Sequence, residues 1–286
     1  MSVAKEQREK LIWEFPNIGK KAPEQEEKAF AYCEGYKEFL NVAKTEREFV
    51  REAVLRLKEA GYEEFEEGKI YQPGDKVYQI NRKKALLMST FGKRPLEDGV
   101  RINVAHIDSP RLDLKPNPLY EKAEAAYFKT HYYGGIRKYQ WATIPLAMHG
   151  VVILKDGTSV DICIGEKEGD PVFCVTDLLP HLAAQQNERK LKDGIKGEEL
   201  NIIVGSLPYP CEEEDSIKEP VKLLALSILN ERFGMTEKDF LRAEIEFVPA
   251  VKATDVGLDR SLVGAYGQDD NCLLYTSPSP RDSTSS

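Results

Sequence analysis

Histidine and cysteine are both scarce in this chain, with four and five copies among 286 residues. Cys33, Cys163, Cys174, Cys211 and Cys272 include no Cys-x-x-Cys spacing and stand in unrelated contexts. That argues against a zinc knuckle or a disulfide framework and predicts reduced thiols. No apolar run reaches the roughly 20 residues of a membrane helix. The opening "MSVAKEQREKLIWEF" lacks the apolar stretch of a secretory signal, so no membrane association is expected and the cytoplasm is the expected location. Positive charge is not in excess: 40 Lys and Arg against 48 Asp and Glu leave a net −8. A phosphate backbone would find no basic surface, and nucleic acid is not an expected partner. What is present, 41% hydrophobic and 31% charged residues, suits a globular protein able to bury a sizeable core.

Apolar spacing predicts two amphipathic helices within 24–60, the second entered by Thr45 as N-cap. "KVYQIN" and "KALLMSTFG" read as short strands parted by a turn, and "GVRINVAHIDSP" reads as a strand whose Val100, Ile102 and Val104 lead to a polar end. From Pro116 to about Glu246 come closely spaced β segments with Gly turns at Gly134-Gly135 and Asp156-Gly157. Helices end near Gly194 and at Gly234, and a Thr236/Asp239 capping pair precedes a return to strand. A sheet begun before Pro116 is therefore expected to resume after about Ala243.

Two places can carry metal chemistry. In "AHID", His106 and Asp108 are two residues apart, so an extended backbone sets both on one side. A carboxylate there can orient a metal-binding imidazole and raise its basicity. His131, His149 and His181 read as surface or packed histidines. In "GAYGQDDN", Asp269 and Asp270 repel each other unless a solvated turn or a divalent cation relieves them. One carboxylate can bridge two metals about 3.5–4 Å apart.

Taken together, "NVAHIDSPRLDLKP", "YYGGIRKYQWATIPLAMHGVV", "PVFCVTDLLPHLA" and "GAYGQDDN" resemble the aspartyl aminopeptidase family of dinuclear zinc exopeptidases. The sharpest pieces are His106, Asp108, Ser109 and Pro110 with Lys115-Pro116 following, and Tyr133-Gly134-Gly135 followed by Trp141. The resemblance implies an α/β fold: a zinc-exopeptidase-like catalytic domain interrupted by a β-rich dimerisation domain. The corresponding division is 1–115, first part of the catalytic domain; 116–245, the insertion; and 246–271, the second part, incomplete at its C-terminus. It further implies His106 as ligand of one zinc, Asp108 as the nonligand carboxylate that orients the site, and Asp270 as the bridge between two zinc ions. Asp269 receives no role. The implied activity is removal of single residues from peptides with a free N-terminus, by a homo-oligomer built from dimers.

Two departures bear on that activity. Trp141 is followed by Ala142, Thr143, Ile144 and Pro145 where the family commonly has an acidic run, which points away from a preference for acidic residues. The family's general-base glutamate and its remaining ligands are not found, and "CLLYTSPSPRD" reads as the translation of a transposase adapter used in sequencing. Residues 272–286 are thus expected to be an adapter-derived tail, and these 286 residues an inactive fragment. The alternative from another class is a noncatalytic, self-associating scaffold related to the aminopeptidases.

Overall fold

The computed structural model describes residues 3–13, 25–211 and 217–271, with side chains as far as Asp269. The segment 272–286 expected to be an adapter lies outside them. Helix α1 spans Val3–Leu11, α2 Glu26–Val42 and α3 Glu46–Glu59. Thr45 caps α3 as expected: its hydroxyl accepts from the Glu48 amide, and the Glu48 carboxylate accepts from the Lys44 and Thr45 amides. Such reciprocal caps satisfy donors the first helical turn cannot pair.

β1 (Glu63–Glu64), β2 (Lys76–Asn81) and β3 (Ala85–Thr90) form a three-stranded sheet in that order. The β2–β3 turn places Arg82 and Lys83 at φ of 52° and 60°, the left-handed pair that matches hairpin twist.

The centre of the molecule is a seven-stranded sheet of β4 (Arg111–Lys122), β5 (Ala125–Tyr133), β6 (Leu146–Ile153), β7 (Ser159–Ile164), β8 (Cys174–Val175), β9 (Ile202–Gly205) and β10 (Ala243–Pro249). Its order is β7-β6-β10-β4-β5-β9-β8. The chain does return to strand after Ala243, but not to the sheet of β2 and β3: β10 pairs antiparallel with the start of β4, Glu246 opposite Asp113, and on its other edge with β6. α4 (Ala184–Asn187) is one short turn, and α5 (Pro220–Phe233) ends at Gly234, whose φ of 70° closes the helix. The core gathers Leu112, Phe128, Met148, Val152 and Phe247 on one side of the sheet against Val221, Ala225 and Leu229 of α5. Each such side chain contributes on the order of 1.5–3 kcal/mol by leaving water.

Gly150 is required where β6 crosses β10: a Cβ there would lie 2.0 Å from the Glu244 carbonyl oxygen. A last hairpin, β11 (Thr254–Val256) with β12 (Leu262–Gly264), leads into the turn Gln268–Asn271.

One expected element is absent. Residues 99–110 form no strand, and Val100, Ile102 and Val104 are 61%, 74% and 86% exposed. A strand is completed by hydrogen bonds to a neighbour, and among the described residues no strand pairs with this segment. The helix expected before Gly194 is also reduced, to α4 and a separate 3-10 turn, Leu191–Asp193. The fold is mixed α/β. No described helix is long and apolar enough to cross a membrane, and none of the four described cysteines is in a disulfide.

Candidate metal centre

His106 and Asp108 meet although the backbone carrying them is not a strand. His106 Nδ1 is 2.9 Å from the Asp108 carbonyl oxygen and 3.3 Å from Asp108 Oδ1. Between them, Ile107 packs against the small core of Phe39, Ala43 and Phe49, which anchors the segment on α2 and α3. The edge-to-face Phe39 and Phe49 rings, 5.2 Å apart, make that anchor rigid.

The turn after β12 arrives at the same corner. Ser109 Oγ donates to the Asp269 carbonyl at 3.0 Å, and the half-buried Tyr266 donates its hydroxyl to the Pro110 carbonyl at 3.0 Å. Burial pushes the Tyr266 hydroxyl far above the usual tyrosine range. These bonds join segments about 160 residues apart and set Asp269 Oδ1 3.8 Å from His106 Nε2. That separation is long for a hydrogen bond, yet it is compatible with an ion bound by both atoms at roughly 2.0–2.2 Å. The Asp270 side chain lies outside the described residues.

Tyr133 supplies a contact that its motif alone did not reveal. Its hydroxyl donates to Asp108 Oδ2 at 2.5 Å, while its ring lies beneath the Arg111 guanidinium, 4.2 Å from the centroid. Gly134 follows at φ 79°, where a Cβ would crowd Pro110 at 3.3 Å. The Tyr-Gly-Gly turn therefore closes over the residues after His106. Burial pushes the Asp108 carboxyl upward, but the Tyr133 hydroxyl, the backbone, His106 and Arg111 together bring it below the usual carboxylate range. Asp108 is an anion with one oxygen on Tyr133 and the other facing the imidazole. The missed signal was the spacing between Asp108 and the Tyr-Gly-Gly: β4 and β5 pair Arg111 with Tyr133, which folds one motif onto the other.

An imidazole backed by a carboxylate, with a second carboxylate across a gap, is a donor set that fits zinc. The family model for "Aminopeptidase I zinc metalloprotease (M18)" matches residues 39–280. The chain belongs to the M18 aminopeptidase family. A probable M18 family aminopeptidase 1 from Clostridium acetobutylicum is 50% identical over 272 residues, covering 93% of this chain and 58% of the relative. The crystal structure of an M18 aminopeptidase from Thermotoga maritima superposes with a TM-score of 0.83 at 46% identity, covering 91% of this chain and 56% of that one. The S. cerevisiae mApe1 dodecamer shares the fold at 19% identity and a TM-score of 0.58, covering 81% and 51%. The chain thus spans little more than half the length of the M18 proteins it matches. The zinc cofactor follows from the family.

Proposed function

We propose that these residues form one corner of a dinuclear zinc aminopeptidase site. The carrying observation is the convergence of the His106–Asp108 pair with the Gln268–Asp270 turn in a chain of the M18 family. His106 is the ligand through Nε2, Asp108 is the positioning residue on its Nδ1, and Asp270 is the bridging carboxylate. Bound zinc supplies polarisation of a peptide carbonyl and acidification of water. The chain's own part is to hold the imidazole. Tyr133 fixes one Asp108 oxygen, the other faces Nδ1, and the ring keeps its lone pair directed across the corner toward Asp269.

Substrates on this reading are peptides with a free N-terminus, cleaved one residue at a time in the cytoplasm by a homo-oligomer of dimers. The 116–245 segment is the dimerisation module between the catalytic parts 1–115 and 246–271. One described imidazole and one described carboxylate do not complete a zinc site, so the 286 residues alone are proposed to be inactive.

Zinc titration by calorimetry, followed by peptide hydrolysis, tests this. His106→Ala is expected to abolish what zinc binding the corner has, and the 286 residues are expected to release no N-terminal amino acid from free or N-acetylated peptides. Zinc binding unchanged in His106→Ala, measured in a Cys163→Ser background so that no thiolate contributes, would remove the ligand assignment. Zinc-dependent turnover by these residues alone would overturn their inactivity.

A further inference from the structure

Across the face of the central sheet opposite α5 runs a row of titratable side chains on four adjacent strands. Asp113 of β4 stands opposite Glu246 of β10, Glu246 opposite His149 of β6, and His149 opposite Cys163 of β7. Directly paired residues share a face, so the row is continuous. The N-terminus of α3 covers it with Glu46 and Glu48.

We propose that Glu48, His149 and Cys163 form a second divalent-metal site, for a thiophilic ion of the zinc class, sharing no residue with the His106 corner. One potential ligand atom from each of the three lies within 4.8 Å of the others. Nitrogen, carboxylate oxygen and thiolate are the three ligand types zinc takes, and sites with three protein ligands keep a position for water.

Both nonligand ends of the set are already arranged. His149 Nδ1 is 2.8 Å from Glu48 Oε1 and Nε2 is 3.1 Å from Glu166 Oε1. Glu166 is itself fixed by Lys44 at 2.6 Å and Lys252 at 3.0 Å. An ion at the Nδ1 end leaves Nε2–H donating to Glu166, the carboxylate–histidine–metal arrangement that sets ring orientation and basicity. Glu48 is held likewise: its Oε2 takes the Lys44 and Thr45 amides, which aims Oε1 at His149. Binding releases two protons to solvent, one from the Cys163 thiol and one from the imidazolium, with no change of oxidation state.

A second observation points to a ligand. A cavity of about 50 Å³ opens beside it, reached by Glu48, Cys163 and Glu246 with Arg47 and Arg51, while His149 lies behind its wall. Glu246, 4% exposed, also lines it, with Oε2 3.4 Å from Arg111 Nε and in no hydrogen bond. The ion pair leaves that oxygen without a well-formed donor, which water on a bound cation would supply. Arg51, 4.0 Å from Glu48 Oε1, is the competing cation, and its side chain is 59% exposed and able to swing away.

Cobalt(II) tests this on the reduced 286-residue chain, because a thiolate ligand gives a near-ultraviolet sulfur-to-cobalt band that oxygen and nitrogen ligands do not. The band is expected in the wild type and in His106→Ala and Cys174→Ser, and lost in Cys163→Ser. Glu166→Gln is expected to weaken cobalt binding by about 10- to 100-fold. No band in the wild type, or a band unchanged in Cys163→Ser, would overturn the proposal. Loss in His106→Ala would also overturn it, by assigning the ion to the other corner.

Discussion

His106 and His149 each face two acidic side chains, and the protein treats them differently. The His106 side chain is 53% exposed, with Asp108 at 3.3 Å and Asp269 at 3.8 Å. The His149 side chain is 3% exposed, with carboxylates at 2.8 and 3.1 Å. Burial alone drives an imidazole toward neutrality, but the bonds to Glu166 and Glu48 outweigh it and push His149 up to about 9. At His149 the low dielectric strengthens every pair and makes each indispensable. At His106 the pairs are looser, so the ring is oriented without being sealed. Exposure, more than residue type, sets how tightly each imidazole is held by its carboxylates.

The sharpest way to break the comparison is to remove one member of the sealed network. Lys44, 2% exposed at its side chain, donates to Glu166 and to the Pro249 and Val251 carbonyls. Lys44→Ala is expected to cost about 3–5 kcal/mol in denaturant unfolding, because Glu166 is left without its closest cation.

Next is pH. With the unfolded value at 6.5 and the folded value at about 9, His149 contributes stability that is full below pH 6.5 and lost as pH rises through about 9. Glu246, pushed up to about 8 mainly by burial and by Glu46, adds a loss in the same direction between 4.5 and 8. Glu166, held down at about 2 by His149, Lys44 and Lys252 against its burial, contributes stability present above 4.5 and lost as pH falls through about 2. From these three groups the unfolding midpoint is therefore expected to be highest near pH 4.5 and to fall on either side, and His149→Gln should flatten the alkaline limb.

Thr45→Ala, removing the cap that also aligns Glu48, is expected to cost about 1 kcal/mol. At the open corner, Tyr133→Phe deletes the hydroxyl on Asp108 and is expected to cost no more than about 1 kcal/mol of stability while weakening zinc about 10-fold or more. Smallest of all, Arg51→Ala breaks an exposed pair with Asp161 at 3.3 Å, for about 0–0.5 kcal/mol in the same unfolding assay. A large effect there would show that the network reaches further into solvent than its exposure indicates.

Much was legible locally. Thr45 and Glu48, or Thr236 and Asp239, cap across three residues, and Gly234 ends α5 through its own backbone. The pairing of His106 with Asp108 was also legible, though the expected strand was not formed. Val100, Ile102 and Val104 have strand periodicity, but periodicity does not provide a neighbour. Tyr133 was conspicuous as a motif and silent as a contact, because its partner is 25 residues away across β4 and β5.

By itself, then, the sequence determined helices α2, α3 and α5, the caps and the return to strand after Ala243. All of these follow from spacings within a few residues or from side-chain chemistry. Only the tertiary structure decided that Ser109 holds the turn at Asp269, and that Asp113, Glu246, His149 and Cys163 share one row under α3. Strand register joins residues from 14 to more than 130 positions apart, and the balance of burial against pairing that fixes each charge exists only once those strands are side by side.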